Sequence, residues 1–401
     1  MKALLAHLRG DKYLWLIVIG LSLYSILAVY SSTGTLAYKY QSGNTEYYLI
    51  KHLLLLVFGL GLMYLASLAN YKIYSRLAQL AMYISVPLLA YTLLWGSRVN
   101  EAARWITLPG IELTFQTSDL AKLALIMYTA RMLSRRQHLV QNFREGFVPV
   151  VLPILVTCLL IAPANLSSAC VLFFTCLLLL FIGRMGMKYI AGMVGSAVVI
   201  LSLLAVFIYF VPEENLPGRM GTWKSRVESF AGGEATESFQ VEQAKIAIAQ
   251  GGLFGVGPGN SSQRNFLPHP YSDFIFAIIL EEYGLVFGAG VILLLYLAFF
   301  YRCMRIVIKT PNPFGALLAI GLGLSLTIQA FVNMGVAVSL FPVTGLTLPL
   351  ISMGGTSMWF TSIAIGIILS VSRDLGMDAR SEFEQLETEE EEGEGASPVP
   401  A

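Results

Sequence analysis

The chain has 401 residues, 56% of them hydrophobic and 13% charged, with a mean hydropathy of +0.68. That composition excludes an ordinary soluble globular domain and points to a polytopic membrane protein. The formal net charge of +1 gives no nucleic-acid footprint and hides a segregation: eight glutamates crowd between Glu382 and Glu394, which leaves the body of the chain basic.

Taken in order, apolar stretches long enough for a helix to cross about 30 Å of hydrocarbon recur roughly ten times. They fall near 13–32, 52–69, 77–96, 118–134, 148–164, 168–183, 188–211, 273–301, 314–335 and 354–372. The expected fold is therefore an all-α polytopic membrane protein, a single ten-helix domain over 1–375. Basic residues precede the first run without a small-residue cleavage pattern, so that run is expected to stay as an anchor. The fifth and sixth runs are separated only by PANLSS, which predicts a tight helical hairpin. Cys158, Cys170, Cys176 and Cys303 lack zinc-type spacing and read as small core residues, with no disulfide or metal cluster expected.

With the N-terminus placed in the cytoplasm, 16 of the 26 Lys and Arg fall on inside segments and five of the remainder in one long outside loop. The positive-inside rule then puts both termini in the cytoplasm. The outside loop, about 212–272, is too long to be structureless. Its first half places Met220, Trp223, Val227 and Phe230 on one stripe, as in a short helix lying in the interface. Its second half, ESFQVEQAKIAIAQGG, suits another short helix ending at a glycine pair, followed by a GVGPGNSSQ loop. The tail, 376–401, is acidic with a Pro/Gly/Ser end and is expected to be disordered.

Three places carry ionisable or helix-breaking residues where lipid would not want them. Asp273 opens the eighth run, with Ser272 as its expected N-cap, and Glu281 and Glu282 follow deeper in the same helix. Carboxylates in a spanning segment are expensive, which makes this stretch the first candidate for chemistry. At 100° per residue the glutamates point to different sides, so one is expected near a polar cavity and one against a neighbouring helix. At the head of the fourth run Asp119 and Lys122 share a face, a spacing that suits a structural ion pair. Just upstream, Arg104 beside Trp105 fits either an interfacial anchor or a diphosphate ligand. Residues 335–357 are apolar yet broken by Pro342, Pro349, Gly354 and Gly355. Such a segment is expected to re-enter and line a cavity.

The motifs GGLFGVGPGNS, FLPHPYSDFIFAIILEEYGLVFG and FPVTGLTLPLISMGGTS, with NEAARWI and QTSDLAKLAL upstream, together resemble the SEDS family, the RodA/FtsW/SpoVE peptidoglycan polymerases, and lean towards its division-type branch. The resemblance implies a membrane glycosyltransferase that polymerises lipid II onto a lipid-linked glycan, beside a class B penicillin-binding protein and other division or elongation proteins. It implies Asp273 as the required aspartate. Arg104, Lys122, Arg264, Glu281, Ser352, Gly354 and Gly355 are then candidates for binding substrate. No cofactor is required, and a divalent cation such as magnesium at the diphosphate is left open. Two positions depart from the family pattern: Ala103 stands where a second arginine is common, and Asn165 where an aspartate is usual. The rival readings are a flippase for the lipid-linked precursor and a non-catalytic scaffold.

Overall fold

The computed structural model describes residues 10–40, 44–99, 102–107, 114–212, 216, 219–231 and 239–395. The side chains of Thr35, Lys39, Tyr40, 97–99, 102–104, 107, 231 and 376–395 lie outside that set. The helices are α1 (Lys12–Ser32), α2 (Gly34–Tyr40), α3 (Thr45–Leu68), α4 (Tyr71–Trp95), α5 (Thr117–Arg135), α6 (Val148–Ile161), α7 (Leu166–Ile182), α8 (Met187–Phe210), α9 (Met220–Ala231), α10 (Phe239–Gly251), α11 (Ile275–Tyr283), α12 (Val291–Lys309), α13 (Pro313–Ala337) and α14 (Thr356–Gly395).

Eight helical stretches are long and apolar enough to cross a membrane. Two more predicted spans are helices that fall short of that mark for simple reasons. α7 has 17 residues, and α5 carries Asp119, Lys122, Arg131 and Arg135. The protein is thus an all-helical, multi-span membrane protein with one small addition. Residues Ser97–Val99, Ala102–Thr107 and Thr114–Gln116 form a three-stranded antiparallel sheet, β1-β2-β3, between α4 and α5. Sequence periodicity did not suggest it, because strands this short have no legible alternation.

α13 lies at the centre, packed on α5, α7, α12 and α14. α8 is the opposite case: only Ile190 and Met193 are buried. A helix apolar all round yet exposed is one whose solvent is lipid. At the end of the bundle away from Asp273, Asp11 caps α1 through Tyr13 N and Leu14 N, at 2.9 and 3.1 Å. Asp11 also pairs with Arg302 of α12. The hairpin expected at PANLSS is present, and Asn165 caps α7 by accepting from Ser168 N at 3.2 Å. The backbone of α14 continues through the acidic segment, where composition predicts disorder, to Gly395; glutamate-rich sequence has good helix propensity.

The eighth span departs from the expected continuous helix. It starts at Ile275, stops at Tyr283 and resumes after a π-helical stretch, Gly284–Gly290. The cause is a ladder with the glycine-rich loop after α10. Val256 N and Gly257 N donate to Glu281 O and Glu282 O at 2.9 and 3.0 Å, and Leu285 N and Val286 N donate to Gly252 O and Leu253 O, both at 3.0 Å. Those groups would otherwise bond within the helix. Backbone lies directly on backbone here. A Cβ at Gly284, where φ is +70°, would sit 2.5 Å from Gly255 N, and one at Gly255 would sit 2.1 Å from Glu282 O.

Candidate active site

Asp273 lies in the turn Tyr271–Phe274, just before α11. Ser272 therefore does not cap the helix, as sequence suggested. Its hydroxyl donates to Asp273 Oδ1 at 3.0 Å. All three carbonyls of residues 271–273 are tethered. Met353 N donates to Tyr271 O at 3.0 Å, Ser352 Oγ to Ser272 O at 2.7 Å, and Asn333 Nδ2 to Asp273 O at 3.0 Å. Asn333 Nδ2 also reaches Leu346 O at 2.6 Å. One turn earlier on α13, Gln329 Nε2 donates to Thr347 O at 2.9 Å. A single face of α13 thus fixes both the Asp273 turn and the irregular segment beside it. The carboxylate stays partly exposed, with Oδ2 3.6 Å from where a Cβ on Gly345 would be.

That segment is the predicted 335–357 stretch. Ser352 is buried, and its hydroxyl also accepts from Leu348 N at 2.8 Å, so it shapes the turn from below. Gly354 and Gly355 lead into α14. Gly355 has φ +59°, with open space where a side chain would start. A buried relay supports the same segment and was not legible in sequence. Ser25 Oγ of α1 donates to Ile351 O at 2.8 Å and lies 2.7 Å from His52 Nε2 of α3. Because the serine proton is committed to Ile351, His52 Nε2–H must be the donor, which leaves Nδ1 as the lone-pair nitrogen.

The two glutamates are consumed internally. Glu281 is 0% and Glu282 1% exposed. Glu281 gathers the loop before the Asp273 turn: Ser261 Oγ, Ser262 N at 2.9 Å, Ser262 Oγ at 3.0 Å and Gln263 N at 3.3 Å all donate to it. Glu282 accepts from Ser31 Oγ at the end of α1. The expectation that one glutamate lines a polar cavity is corrected by this packing. Arg264, a candidate for the diphosphate, donates to Ser31 O and Oγ at 3.2 and 3.4 Å. The side chain of Arg104 lies outside the described residues; its backbone is in the sheet's middle strand.

Asp119 and Lys122 form the predicted i,i+3 pair at 2.7 Å, with side chains 7% and 17% exposed. They face a narrow crevice between α5, α13 and α14 that also contains Gln329. Lys122→Met would strand a buried carboxylate whose Oδ2 already has no partner, and is expected to cost about 3 to 5 kcal/mol. Adding Asp119→Leu should recover most of that loss in thermal unfolding in detergent.

α9 separates two hollows. Residues 219, 220 and 223 border an apolar groove of about 540 Å³ whose far walls include Leu155, Leu159, Phe173 and Leu204. Thr222, Ser225, Arg226 and Ser229 border a cavity of about 580 Å³ closed on its other side by α10, Pro268 and Phe341–Val343. With 3.6 residues per turn these sets lie about a third of a circumference apart. Burial pushes the Arg226 guanidinium below its ordinary pKa, and the Arg219 charge adds to this. The negative charge of Asp273 opposes the shift. The apolar stripe dominates the sequence pattern of α9, and the polar 222-225-226-229 spacing is the only local signal of Arg226. Among the described residues no group of three or more His, Cys, Asp or Glu is placed to hold a metal ion.

Comparison with known proteins places this architecture. A protein from Geobacter metallireducens named probable peptidoglycan glycosyltransferase FtsW is 33% identical over 91% of this chain and 95% of its own length. The stage V sporulation protein E of Bacillus subtilis is 32% identical over 90% and 97%. Among solved structures, a chain described under structural coordination of polymerization and crosslinking by a peptidoglycan synthase complex superposes with TM-score 0.71. It has 25% identity and covers 91% of this chain and 98% of its own. The rod shape determining protein RodA of Thermus thermophilus gives TM-score 0.63 at 26% identity, covering 92% and 98%. Residues 11–376 match the FtsW/RodA/SpoVE cell cycle protein family, and the chain belongs to that family.

Proposed function

We propose that the protein is a peptidoglycan glycosyltransferase that polymerises lipid II at the outer face of the bacterial cytoplasmic membrane, with both termini inside. The 4-hydroxyl of one lipid-linked sugar attacks the anomeric carbon of the lipid-linked strand. Asp273 takes the hydroxyl proton, and the bond to the carrier diphosphate breaks with its electron pair leaving on oxygen. One observation carries this reading: a partly exposed carboxylate on a turn held by three backbone tethers lies against Gly345, two residues beyond the wall of a cavity that carries the polar residues of α9, and α9 separates that cavity from an apolar groove. A substrate that is a sugar at one end and a prenyl chain at the other needs both hollows at once. The names of the relatives point the same way.

Purified protein with a class B penicillin-binding protein in detergent should convert lipid II into glycan strands, and a failure to do so with an active partner would reject the reading. A flippase would need polar groups available along a path through the bilayer. Glu281, Glu282 and the Asp119–Lys122 pair are instead taken up by partners within the protein.

His52 serves this reaction as a positioning residue through Ser25 and Ile351. His52→Leu should lower kcat by roughly 10 to 100-fold, the range for a small misplacement of the catalytic group, with KM little changed. His52→Gln, whose amide can still donate to Ser25, should recover most of the rate. Equal losses in both variants would remove the relay from the mechanism.

A further inference from the structure

The sequence offers several cations for the negative charge of a lipid-linked substrate, and the fold has already committed most of them. Lys122 is paired with Asp119, Arg264 is bonded to Ser31, Arg219 donates to Ala164 O at 2.7 Å, and Lys224 donates to Val211 O at 3.3 Å. Arg226 is different. It is partly buried in the wall of the 580 Å³ cavity and has no hydrogen bond or ion pair among the described residues. A guanidinium removed from water without a partner is costly, and an arriving anion recovers that cost. Thr222, Ser225 and Ser229 on the same helical face add neutral donors around it. Across the cavity, Pro342 and Val343 lead directly to Gly345, the residue against Asp273 Oδ2.

We infer that Arg226 is the anion-binding residue of this site, its planar fork gripping an oxyanion of the lipid-linked substrate while Asp273 handles the proton. This inference rests on the glycosyltransferase reading for its substrate. The chemistry fits either of two oxyanions on that substrate, the carrier diphosphate or a carboxylate of the peptide stem. Arg226 and Asp273 are also coupled in a useful sense. Before reaction the carboxylate partly offsets the guanidinium. Where the oxyanion is the carrier diphosphate, protonation of Asp273 by the hydroxyl neutralises its charge, and the field of Arg226 then falls undiminished on the leaving oxygen as its charge grows.

Binding can be measured without turnover. Farnesyl diphosphate and the lipid-free disaccharide-pentapeptide are titrated separately into wild type, Arg226→Gln, Arg226→Lys and Asp273→Asn, each first checked for a native melting transition. Loss of one charge-assisted bidentate contact should weaken one of the two ligands about ten to a hundred-fold in Arg226→Gln. Arg226→Lys should fall between, because an ammonium cannot form the fork, and Asp273→Asn should bind no more weakly than wild type. The ligand that loses affinity identifies the oxyanion. If both bind Arg226→Gln as tightly as wild type, the inference is overturned, and strand synthesis by wild type in parallel would leave the glycosyltransferase reading intact. If wild type makes no strands while Arg226→Gln still loses anion affinity, that reading falls and the anion site stands.

Discussion

Asp273→Asn is expected to reduce glycan synthesis by about 10² to 10⁴-fold, the range for removing a positioned general base, while leaving the melting temperature in detergent near that of wild type. The substitution is nearly isosteric. Ser272 Oγ can still donate to the amide oxygen, and the tethers from Ser352, Met353 and Asn333 engage backbone carbonyls rather than the side chain. A loss of rate with an unchanged fold can therefore be assigned to chemistry. Synthesis at the wild-type rate by the Asn variant would show that another group takes the proton.

Glu281→Ala should have its largest effect on stability. The carboxylate is the acceptor for two buried or partly buried backbone N–H groups, Ser262 N and Gln263 N, and for two serine hydroxyls. Leaving such donors unsatisfied costs about 1 to 3 kcal/mol each, so the two amides alone imply about 2 to 6 kcal/mol, a large share of a typical domain's stability. Glu281→Gln keeps one acceptor oxygen and should lose less. The readout is thermal unfolding of the purified protein, with strand synthesis measured in parallel. A Glu281→Ala protein that melts like wild type but shows a raised KM would return this residue to the substrate, the role the family resemblance gave it.

The gap between those two acids illustrates what a linear pattern can reveal. Asp273, Glu281 and Glu282 are all legible as carboxylates too costly for lipid to tolerate idly. Only the folded chain distinguishes the open one from the two that are consumed. The same holds for the cations. Arg264 lies in a motif and attracts notice, yet Ser31, more than two hundred residues away in sequence, occupies it. Arg226 lies in a short helix whose apolar stripe dominates the pattern, and the role proposed for it rests on its having no hydrogen bond or ion pair among the described residues.

The helical spans and the short helix α9 follow from sequence alone, because bilayer thickness fixes a run length and the helical repeat fixes a face. The hairpin at Asn165 follows as well, since the turn and its cap are local. The break in the eighth span, the relay from His52, the tethering of the Asp273 turn and the two hollows beside α9 were decided by tertiary structure. Each depends on groups far apart in the chain meeting at hydrogen-bond distance. The glycines that permit the break are visible in the sequence, but the backbone they must accommodate belongs to another segment, and no local periodicity encodes which segment that is.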